Sequence, residues 1–271
     1  MLEGKKIGVV GGGKMGGALI GGMISRGLVM AAALTVADTD EKRLGELAKA
    51  YGVRVTADNR EAVQGADLVI LSVKPQSMAE VLSGLAGAAS SALFISIAAG
   101  IATAFIEERL GEGVRVVRVM PNLPALIGEG AAALAPGAFA TKADLEWARQ
   151  IFTAVGIAVD VKESLMDAVT GLSGSGPGYA FLIIEALMDA GVRTGLARDV
   201  ALKLSAQSLL GAAKLCLRGE KDPAELREMV TSPGGTTLAG LKVLEEGKLK
   251  ATLIAAVEAA TRRSAELGGR K

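Results

Sequence analysis

The chain has 271 residues, of which 50% are apolar, 22% are charged and only 3% are aromatic. Its 30 Lys and Arg residues nearly balance 29 Asp and Glu residues, and the net charge of +1 excludes the basic surface that binds nucleic acid or an anionic membrane. The chain contains no histidine and a single cysteine, Cys216, which excludes histidine-dependent catalysis, imidazole or thiolate metal centres and an internal disulfide, and favours a cytoplasmic protein.

The first 162 residues alternate short segments of β-branched residues with segments of helical periodicity. The predicted strands are Ile7–Val10, Leu34–Ala37 and residues 68–73, 93–97 and 114–119, and the helices between them include residues 15–26 and Glu41–Tyr51. Strands that alternate with helices in this way pair in parallel through right-handed crossovers. The sequence therefore predicts an α/β fold whose N-terminal domain, residues 1–162, is a Rossmann-like, doubly wound parallel sheet.

A glycine-rich turn follows the first predicted strand and opens the first predicted helix. Gly11, Gly13 and Gly16 fit the spacing G-x-G-x-x-G, which allows a tight turn, close approach of a pyrophosphate and close packing of the helix. Asp38 stands at the end of the next strand, about 20 residues further on, as dinucleotide sites require. The phosphate loop of nucleotide hydrolases nearly fits, but Met15 replaces the hydroxyl residue that ligates magnesium. The turn therefore predicts a dinucleotide site.

The choice between the two nicotinamide dinucleotides stays open from these residues. A carboxylate at the position of Asp38 usually accepts the ribose hydroxyls of NAD and repels the 2′-phosphate of NADP. Thr39, Lys42 and Arg43 follow directly and have the donors to hold that phosphate. The local pattern is therefore compatible with either cofactor.

The chain after residue 162 consists of long helical periods rich in Ala and Leu. The predicted helices are residues 164–172, 178–194, 198–218, 223–230 and 237–246 and Leu249–Leu267, and no strand is predicted among them. Apolar residues surround much of residues 178–188 and 201–217, where a solvent-facing helix would show a polar face. Residues 163–271 are therefore predicted to form an all-helical domain that buries apolar surface against a second copy of the chain.

Residues 230–240 read Val-Thr-Ser-Pro-Gly-Gly-Thr-Thr-Leu-Ala-Gly and join two predicted helices. Pro233 and the glycines after it end one helix, and an apolar period begins the next. Gly235, Thr236 and Thr237 thus stand at a helix N-terminus, where free N–H groups and the helix dipole favour a carboxylate or a phosphate. By local chemistry alone an ordinary capped turn is the better interpretation. The glycine turn at the other end of the chain shifts the balance towards an anion site.

These motifs, together with several others in the same order, resemble the pyrroline-5-carboxylate reductase family over nearly the whole chain. The shared segments are the glycine turn, Asp58-Asn59, Ser72-Val73-Lys74-Pro75-Gln76, Ser96-Ile97-Ala98-Ala99-Gly100, Met120-Pro121-Asn122, residues 167–177 (Asp-Ala-Val-Thr-Gly-Leu-Ser-Gly-Ser-Gly-Pro) and residues 232–237. The resemblance implies an enzyme that reduces the C=N bond of 1-pyrroline-5-carboxylate to L-proline, the last step of proline biosynthesis. It also implies NADPH as the cofactor, with NADH as the alternative that Asp38 favours.

The resemblance further implies a role for each site residue. The implied cofactor-binding residues are Gly11, Gly13, Lys14, Met15, Gly16, Asp38, Asn59, Val73, Lys74 and Pro75, with Ile97, Ala98 and Ala99 beside the nicotinamide. The implied substrate-binding residues are Glu163, Ser232, Gly234, Gly235, Thr236 and Thr237. Thr237 is the implied catalytic residue, because its hydroxyl can hydrogen-bond the ring nitrogen while the amides of the turn hold the carboxylate. Considered singly, Lys74 is equally a solvated charge and Glu163 an acid at a helix N-terminus.

The family resemblance also implies self-association as an intertwined homodimer, with a higher ring of dimers as a further assembly. Two other functions compete with imine reduction. β-Hydroxyacid dehydrogenases share the architecture but carry a lysine, and an asparagine one turn later, on the first helix after the inter-domain segment; residues 170–179 contain neither. A non-catalytic dinucleotide-binding protein would keep the glycine turn but would not require Thr236 and Thr237 beside an anion site.

Overall fold

The computed structural model describes residues 2–88 and 91–269, which form two compact units. The larger unit comprises the described residues up to Ser175 together with those from Glu258 onward, and the smaller unit is Gly176–Val257. The described residues of the larger unit contain one eight-stranded sheet. Its strands are β1 (Ile7–Val10), β2 (Leu34–Ala37), β3 (Arg54–Thr56), β4 (Leu68–Leu71), β5 (Leu93–Ser96), β6 (Arg115–Met120), β7 (Gly130–Pro136) and β8 (Gly156–Asp160).

The order of the strands is β3-β2-β1-β4-β5-β6-β7-β8. β1 pairs in parallel with both β2 and β4, so the strand order reverses beside β1. Such a reversal leaves a crevice at the carboxyl ends of the strands, which is where open α/β sheets bind ligands. The predicted doubly wound α/β fold is confirmed. The sheet is not parallel throughout, however, because β7 runs antiparallel to β6.

Helices cover both faces of the sheet. In the larger unit they are α1 (Lys14–Ser25), α2 (Glu41–Tyr51), α3 (Asn59–Val63), α4 (Met78–Leu85), α5 (Thr103–Leu110), α6 (Lys142–Thr153) and α7 (Met166–Val169). Side chains of a strand alternate between faces, so Leu68 and Ile70 of β4 pack with α1 and α6, whereas Val69 and Leu71 pack with α4 and α5. The sheet is therefore buried on both faces, which explains why its central strands are continuously apolar.

Three strands were not predicted from the sequence. β3 is only three residues long and lies at the sheet edge, where two of its side chains are exposed. β7 reads Gly-Ala-Ala-Ala-Leu-Ala-Pro and lacks the β-branched residues that indicate a strand. Only two residues separate β8 from the end of α6, so the helical period of α6 obscures it. Of the strands that were predicted, β1 and β2 have the predicted ends, and the other three differ by one or two residues, as at β4, which ends at Leu71.

The smaller unit contains only helices in its described secondary structure. These are α8 (Gly176–Arg193), α9 (Arg198–Leu217), α10 (Pro223–Met229), α11 (Thr236–Glu246) and the first part of α12 (Leu249–Leu267). Large apolar side chains are exposed on α8 and α9, among them Phe181, Leu204 and Leu217. In the described part of the chain, α9 is the one helix that could cross a membrane by length and composition alone. The predicted all-helical second half is confirmed.

Candidate active site

The glycine turn between β1 and α1 is so tightly packed that two of its three fingerprint glycines tolerate no side chain. Gly11 has a φ of +100°, and a Cβ there would lie 2.5 Å from the carbonyl oxygen of Ser72. A Cβ on Gly16 would lie 2.2 Å from the carbonyl oxygen of Gly11, so α1 packs directly on the turn. A Cβ on Gly13, in contrast, would meet no atom within 4 Å. The space beside Gly13 is open, as the approach of a phosphate requires.

The N-terminus of α1 also favours a phosphate at this turn. Gly13 is its N-cap, no side chain caps it within the described residues, and its first turn contains no acidic residue. The N–H groups of such a first turn have no partners inside the helix, and together with the helix dipole they favour an anion. Lys14, Met15 and Gly16, three of the predicted cofactor residues, form this turn.

Asp38 braces the glycine turn from the end of β2. One carboxylate oxygen accepts a hydrogen bond from the N–H of Gly12 at 2.6 Å, and the other accepts the N–H of Asp40 at 3.0 Å. Each oxygen retains a second lone pair, because a carboxylate offers about four acceptor sites. Asp38 therefore shapes the turn and still has capacity to accept the hydroxyls of a ribose.

Arg43 braces the same turn from α2. Its guanidinium donates to the carbonyl oxygen of Gly12 at 2.6 Å and to that of Gly13 at 3.4 Å. Arg43 is thus engaged with the turn. Of the three residues predicted to hold a ribose phosphate, Thr39 and Lys42 make no side-chain hydrogen bond or ion pair within the described residues, and Thr39 lines the adjacent groove. Of the three residues, Thr39 and Lys42 therefore keep side-chain donors that the turn does not use.

A groove of about 620 Å³ lies at the carboxyl ends of β1, β2 and β4. It brings together the predicted cofactor residues Gly11, Gly13, Asp38, Asn59, Val73 and Lys74. Pro75 follows Lys74 directly and begins a short 3-10 turn, Pro75–Ser77. The volume of the groove lies within the usual range of small-molecule and cofactor sites. The residues that the sequence assigned to the adenosine side of the cofactor therefore lie in or beside one groove.

One wall of this groove was not predicted from the sequence. Ser77, which precedes α4, and Glu80, Val81 and Gly84 of α4 line it. Their spacing of three and four residues puts them on one face of the helix. That spacing is visible in the sequence, but it becomes informative only when the start of α4 at Met78 is known.

Ile97, Ala98 and Ala99 follow β5 at the carboxyl edge of the sheet. The N–H of Ile97 donates to the carbonyl oxygen of Leu71 at 3.1 Å, which extends the β4–β5 pairing by one residue. These three residues do not line the groove of about 620 Å³. They lie instead beyond it along the same edge, because β5 is the next strand after β4.

Glu163, which was predicted to bind the substrate, lies in the larger unit with both carboxylate oxygens engaged. Oε1 accepts hydrogen bonds from the N–H of Thr103 at 2.8 Å and from the guanidinium of Arg118 at 3.4 Å. Oε2 accepts the hydroxyl of Thr103 at 2.8 Å. Thr103 is the first residue of α5. Glu163 is therefore an acid at a helix N-terminus, which agrees with the alternative interpretation of this residue. The helix is α5, however, to which Glu163 itself does not belong.

The remaining predicted substrate residues lie together in the smaller unit, in the turn before α11. They are Ser232, Gly234, Gly235, Thr236 and Thr237. Gly235 is the N-cap, Gly234 has a φ of +70°, and no described side chain caps the helix. Within the described residues, neither threonine hydroxyl makes a hydrogen bond. The prediction of a helix start is confirmed, and the first-turn N–H groups and two hydroxyls of this turn are groups that favour an anion.

Two family models match this chain. The model described as pyrroline-5-carboxylate reductase dimerisation matches residues 163–267, and the model described as NADP oxidoreductase coenzyme F420-dependent matches residues 6–100. The first match includes the turn before α11 and the helices with exposed apolar side chains. It supports self-association through this half of the chain.

Named relatives match over almost the full length. A pyrroline-5-carboxylate reductase from Methanosarcina acetivorans is 50% identical over 268 residues, which cover 98% of this chain and 99% of the relative. The solved structure of a pyrroline-5-carboxylate reductase from Coxiella burnetii has a TM-score of 0.92 at 38% identity and covers 98% of this chain and 99% of its own. The Plasmodium falciparum pyrroline carboxylate reductase, solved with NADP bound, has a TM-score of 0.88 at 33% identity and covers 98% of each chain. With its glycine turn, its groove and its turn before α11, this chain is an oxidoreductase that belongs to the pyrroline-5-carboxylate reductase family.

Proposed function

We propose that this chain reduces the C=N bond of 1-pyrroline-5-carboxylate to L-proline, the last step of proline biosynthesis, with NADPH as the preferred cofactor and NADH as an alternative. The observation that carries the proposal is the uncapped N-terminus of α11, which bears Thr237, in a member of this family. Its two threonine hydroxyls and first-turn N–H groups match the carboxylate and nitrogen of the substrate.

The residues of the larger unit fit a dinucleotide. The N-terminus of α1 and the open space at Gly13 suit the pyrophosphate. The adenosine side is assigned to Asp38, Asn59, Val73, Lys74 and Pro75, and the nicotinamide side to Ile97, Ala98 and Ala99. When bound, the reduced nicotinamide supplies the hydride, which is the difficult part of the chemistry. The chain has to bind, orient and shield the reactants.

The turn before α11 fits the other reactant. The N–H groups of its first turn donate to the substrate carboxylate, and the helix dipole strengthens these bonds. The imine arrives protonated from solvent, and its N–H donates to the hydroxyl oxygen of Thr237. When hydride adds to the carbon, the π electron pair of C=N moves to the nitrogen, which becomes a neutral amine. Because a hydroxyl both donates and accepts, Thr237 can hydrogen-bond the nitrogen before and after this step.

Purified protein tests the proposal. We expect oxidation of NADPH and formation of proline when fresh 1-pyrroline-5-carboxylate is added. The matched control is 1-pyrroline, which lacks the carboxylate and should react with a kcat/KM lower by about 10²-fold or more, since each lost charge-assisted hydrogen bond is worth about 1.5–3 kcal/mol. Equal turnover of the two imines would exclude the carboxylate site, and a folded protein that oxidises neither cofactor would exclude the reaction.

Cofactor preference is expected to respond to the charge of Asp38. Asp38→Asn should raise the efficiency with NADPH relative to NADH by about tenfold, because it removes a charge that repels the 2′-phosphate. Its amide oxygen can still accept the N–H of Gly12, so the turn keeps its brace. Asp38→Ser is the comparison. Its shorter side chain cannot reach Gly12, so the binding of both cofactors should weaken. Values of kcat/KM with each cofactor decide, and an unchanged ratio in Asp38→Asn would show that the carboxylate does not face the ribose.

The proposed assembly is an intertwined homodimer, from which a ring of dimers can be built. Support comes from the dimerisation match to residues 163–267 and from the exposed apolar side chains of α8 and α9, such as Phe181 and Leu217. Contiguous exposed apolar surface of this kind marks an interaction site. Light scattering of the purified protein measures the number of copies, and a monomer at micromolar concentration would contradict this assembly.

A further inference from the structure

The loop that joins β5 to α5, residues 97–102, contains no polar side chain with which to hold its own shape. It reads Ile-Ala-Ala-Gly-Ile-Ala and extends from Ser96 to Thr103. Gly100, at φ +76°, turns the backbone in its middle. Ala98 is buried in the core, and the N–H of Ile101 donates to the carbonyl oxygen of Ala98 at 3.5 Å. Because no side chain of the loop can form a hydrogen bond, its position relative to α5 depends on how its two ends are anchored.

The two ends are anchored by different means. At the Ser96 end, the sheet itself holds the backbone through the N–H of Ile97. At the other end the anchor is Glu163, which accepts both the N–H and the hydroxyl of Thr103 at 2.8 Å. α5 lacks a side-chain cap of its own, because its N-cap residue is Ala102. A carboxylate that is 60 positions away in the sequence therefore takes the role of the cap.

Arg118 holds this carboxylate in place. Arg118 lies on β6 directly beside Ser96 of β5, and its side chain is only 2% exposed. Its guanidinium lies 3.4 Å from Oε1 of Glu163. Separating the two charges inside the unit would be costly, so the pair has one preferred arrangement. The sheet therefore fixes both ends of the loop, the first through the bond from Ile97 to Leu71 of β4 and the second through Arg118 of β6, which holds Glu163.

Met120, the last residue of β6, and Asn122, two positions further on, contact the part of the chain that follows Glu163. The methyl group of Met120 lies against Gly174, where a Cβ would approach it to 2.7 Å. The side-chain amide of Asn122 donates to the carbonyl oxygen of Ser173 at 3.0 Å. Ser173 and Gly174 belong to a π-helix, Thr170–Gly174, a form that is rare and concentrated at functional sites. Arg118, Met120 and Asn122 thus contact the chain at Glu163 and again at Ser173 and Gly174.

We propose that Glu163 is a positioning residue: with Arg118 and Thr103 it fixes the loop 97–102, on which the nicotinamide lies, and it does not contact the substrate. The inference rests on the proposed function and replaces the direct substrate contact that the family resemblance implied. Loss of the anchor lets the loop shift and misorients the nicotinamide, whereas the pyrophosphate and adenosine contacts of the groove stay in place. Hydride transfer therefore suffers more than cofactor binding.

Two variants remove the anchor in different ways. Glu163→Gln removes the charge, and Thr103→Val removes only the hydroxyl. In both we expect kcat to fall by about 10- to 100-fold, because a small misplacement of a reactant is costly, while the dissociation constant of NADPH changes by less than about threefold. The primary isotope effect with NADPH deuterated at its reactive carbon should rise, because hydride transfer becomes the slower step. Thr103→Ser keeps both donors and should behave as the native protein does.

The matched control is Asp144→Asn. Asp144 is a fully buried carboxylate that pairs with Arg115, on the same strand β6, at 2.6 Å. It also accepts hydrogen bonds at the start of α6, in a capping box with Thr141. This variant removes a buried charge of the same kind but makes no contact with the loop 97–102. It should lower the melting temperature and leave both kcat and the isotope effect unchanged.

Two results would overturn the proposal. In the first, Glu163→Gln and Thr103→Val lower only the melting temperature, as Asp144→Asn does. In the second, Glu163→Gln raises the KM for 1-pyrroline-5-carboxylate while Thr103→Val changes nothing, which would show direct contact with the substrate. If Glu163→Gln fails to fold, Thr103→Val decides between these outcomes.

A measurement without imine separates this inference from the proposed reaction. The fluorescence emission of NADPH in its binary complex reports the surroundings of the nicotinamide. It should change in Glu163→Gln and Thr103→Val but not in Asp144→Asn. That pattern would support the positioning role even if the native protein failed to reduce 1-pyrroline-5-carboxylate, and unchanged emission in all three variants would contradict it.

Discussion

Thr237→Ala should lower turnover by about 10²- to 10³-fold and leave NADPH binding unchanged. A hydroxyl that hydrogen-bonds the substrate nitrogen contributes roughly 2–4 kcal/mol to the transition state. Within the described residues this hydroxyl has no hydrogen-bond partner, so the substitution breaks no contact that holds the fold. Kinetics at a fixed concentration of folded protein, an NADPH titration and a thermal melt measure the three consequences.

The matched control is Thr237→Ser, which keeps the hydroxyl and should retain turnover within about threefold of the native value. The competing interpretation is that Thr237 merely stabilises the start of α11. In that case Thr237→Ala would cost about 1 kcal/mol of stability. Near-normal turnover with a lowered melting temperature would therefore remove Thr237 from the reaction.

Gly13→Ala should weaken NADPH binding by about 10- to 100-fold without destabilising the fold. A Cβ on Gly13 meets no atom within 4 Å, and the φ of −57° at this position lies outside the left-handed region that favours glycine. The added methyl group would occupy the space where a pyrophosphate approaches the N-terminus of α1. The weakened charge-assisted hydrogen bonds are worth about 1.5–3 kcal/mol, from which the expected loss follows. Calorimetric titration with NADPH and a thermal melt check the two halves of this prediction.

Two other glycine substitutions are controls for Gly13→Ala. Gly16→Ala forces a Cβ to 2.2 Å from a backbone oxygen, so both stability and NADPH binding should fall. Gly45 lies on α2, and a Cβ there would have no atom within 4 Å. Gly45→Ala should therefore leave NADPH binding unchanged and increase the stability of the helix by about 1 kcal/mol. Native affinity in Gly13→Ala would mean that the pyrophosphate binds elsewhere.

The sequence predicted the features that a short stretch of chain determines. The turn from β1 to α1 is specified by glycines at Gly11, Gly13 and Gly16 and by the apolar strand before them. The start of α11 is specified by Pro233 and the glycines that follow it. Both depend on backbone preferences of a few consecutive residues, so a reader of the sequence can place them within one or two positions.

The features that the sequence did not predict depend on residues far apart in the chain. The partners of Glu163 are Thr103 and Arg118, on two other elements, and nothing near residue 163 indicates them. The antiparallel strand β7 is held by pairing with its neighbours rather than by its alanine-rich sequence. Asp38 was placed correctly at the end of β2, but its bond to Gly12 follows from the folded turn. These three features therefore depend on tertiary contacts, which local sequence propensity does not reveal.

The most direct test of the proposed function follows the hydride itself. NADPH that carries deuterium at its reactive nicotinamide carbon is supplied with unlabelled 1-pyrroline-5-carboxylate and purified protein. The proposed function predicts proline with a single deuterium, bound to the ring carbon that was part of the C=N bond, in an amount equal to the NADPH oxidised. Unlabelled proline, or NADPH oxidation that produces no proline, would contradict it.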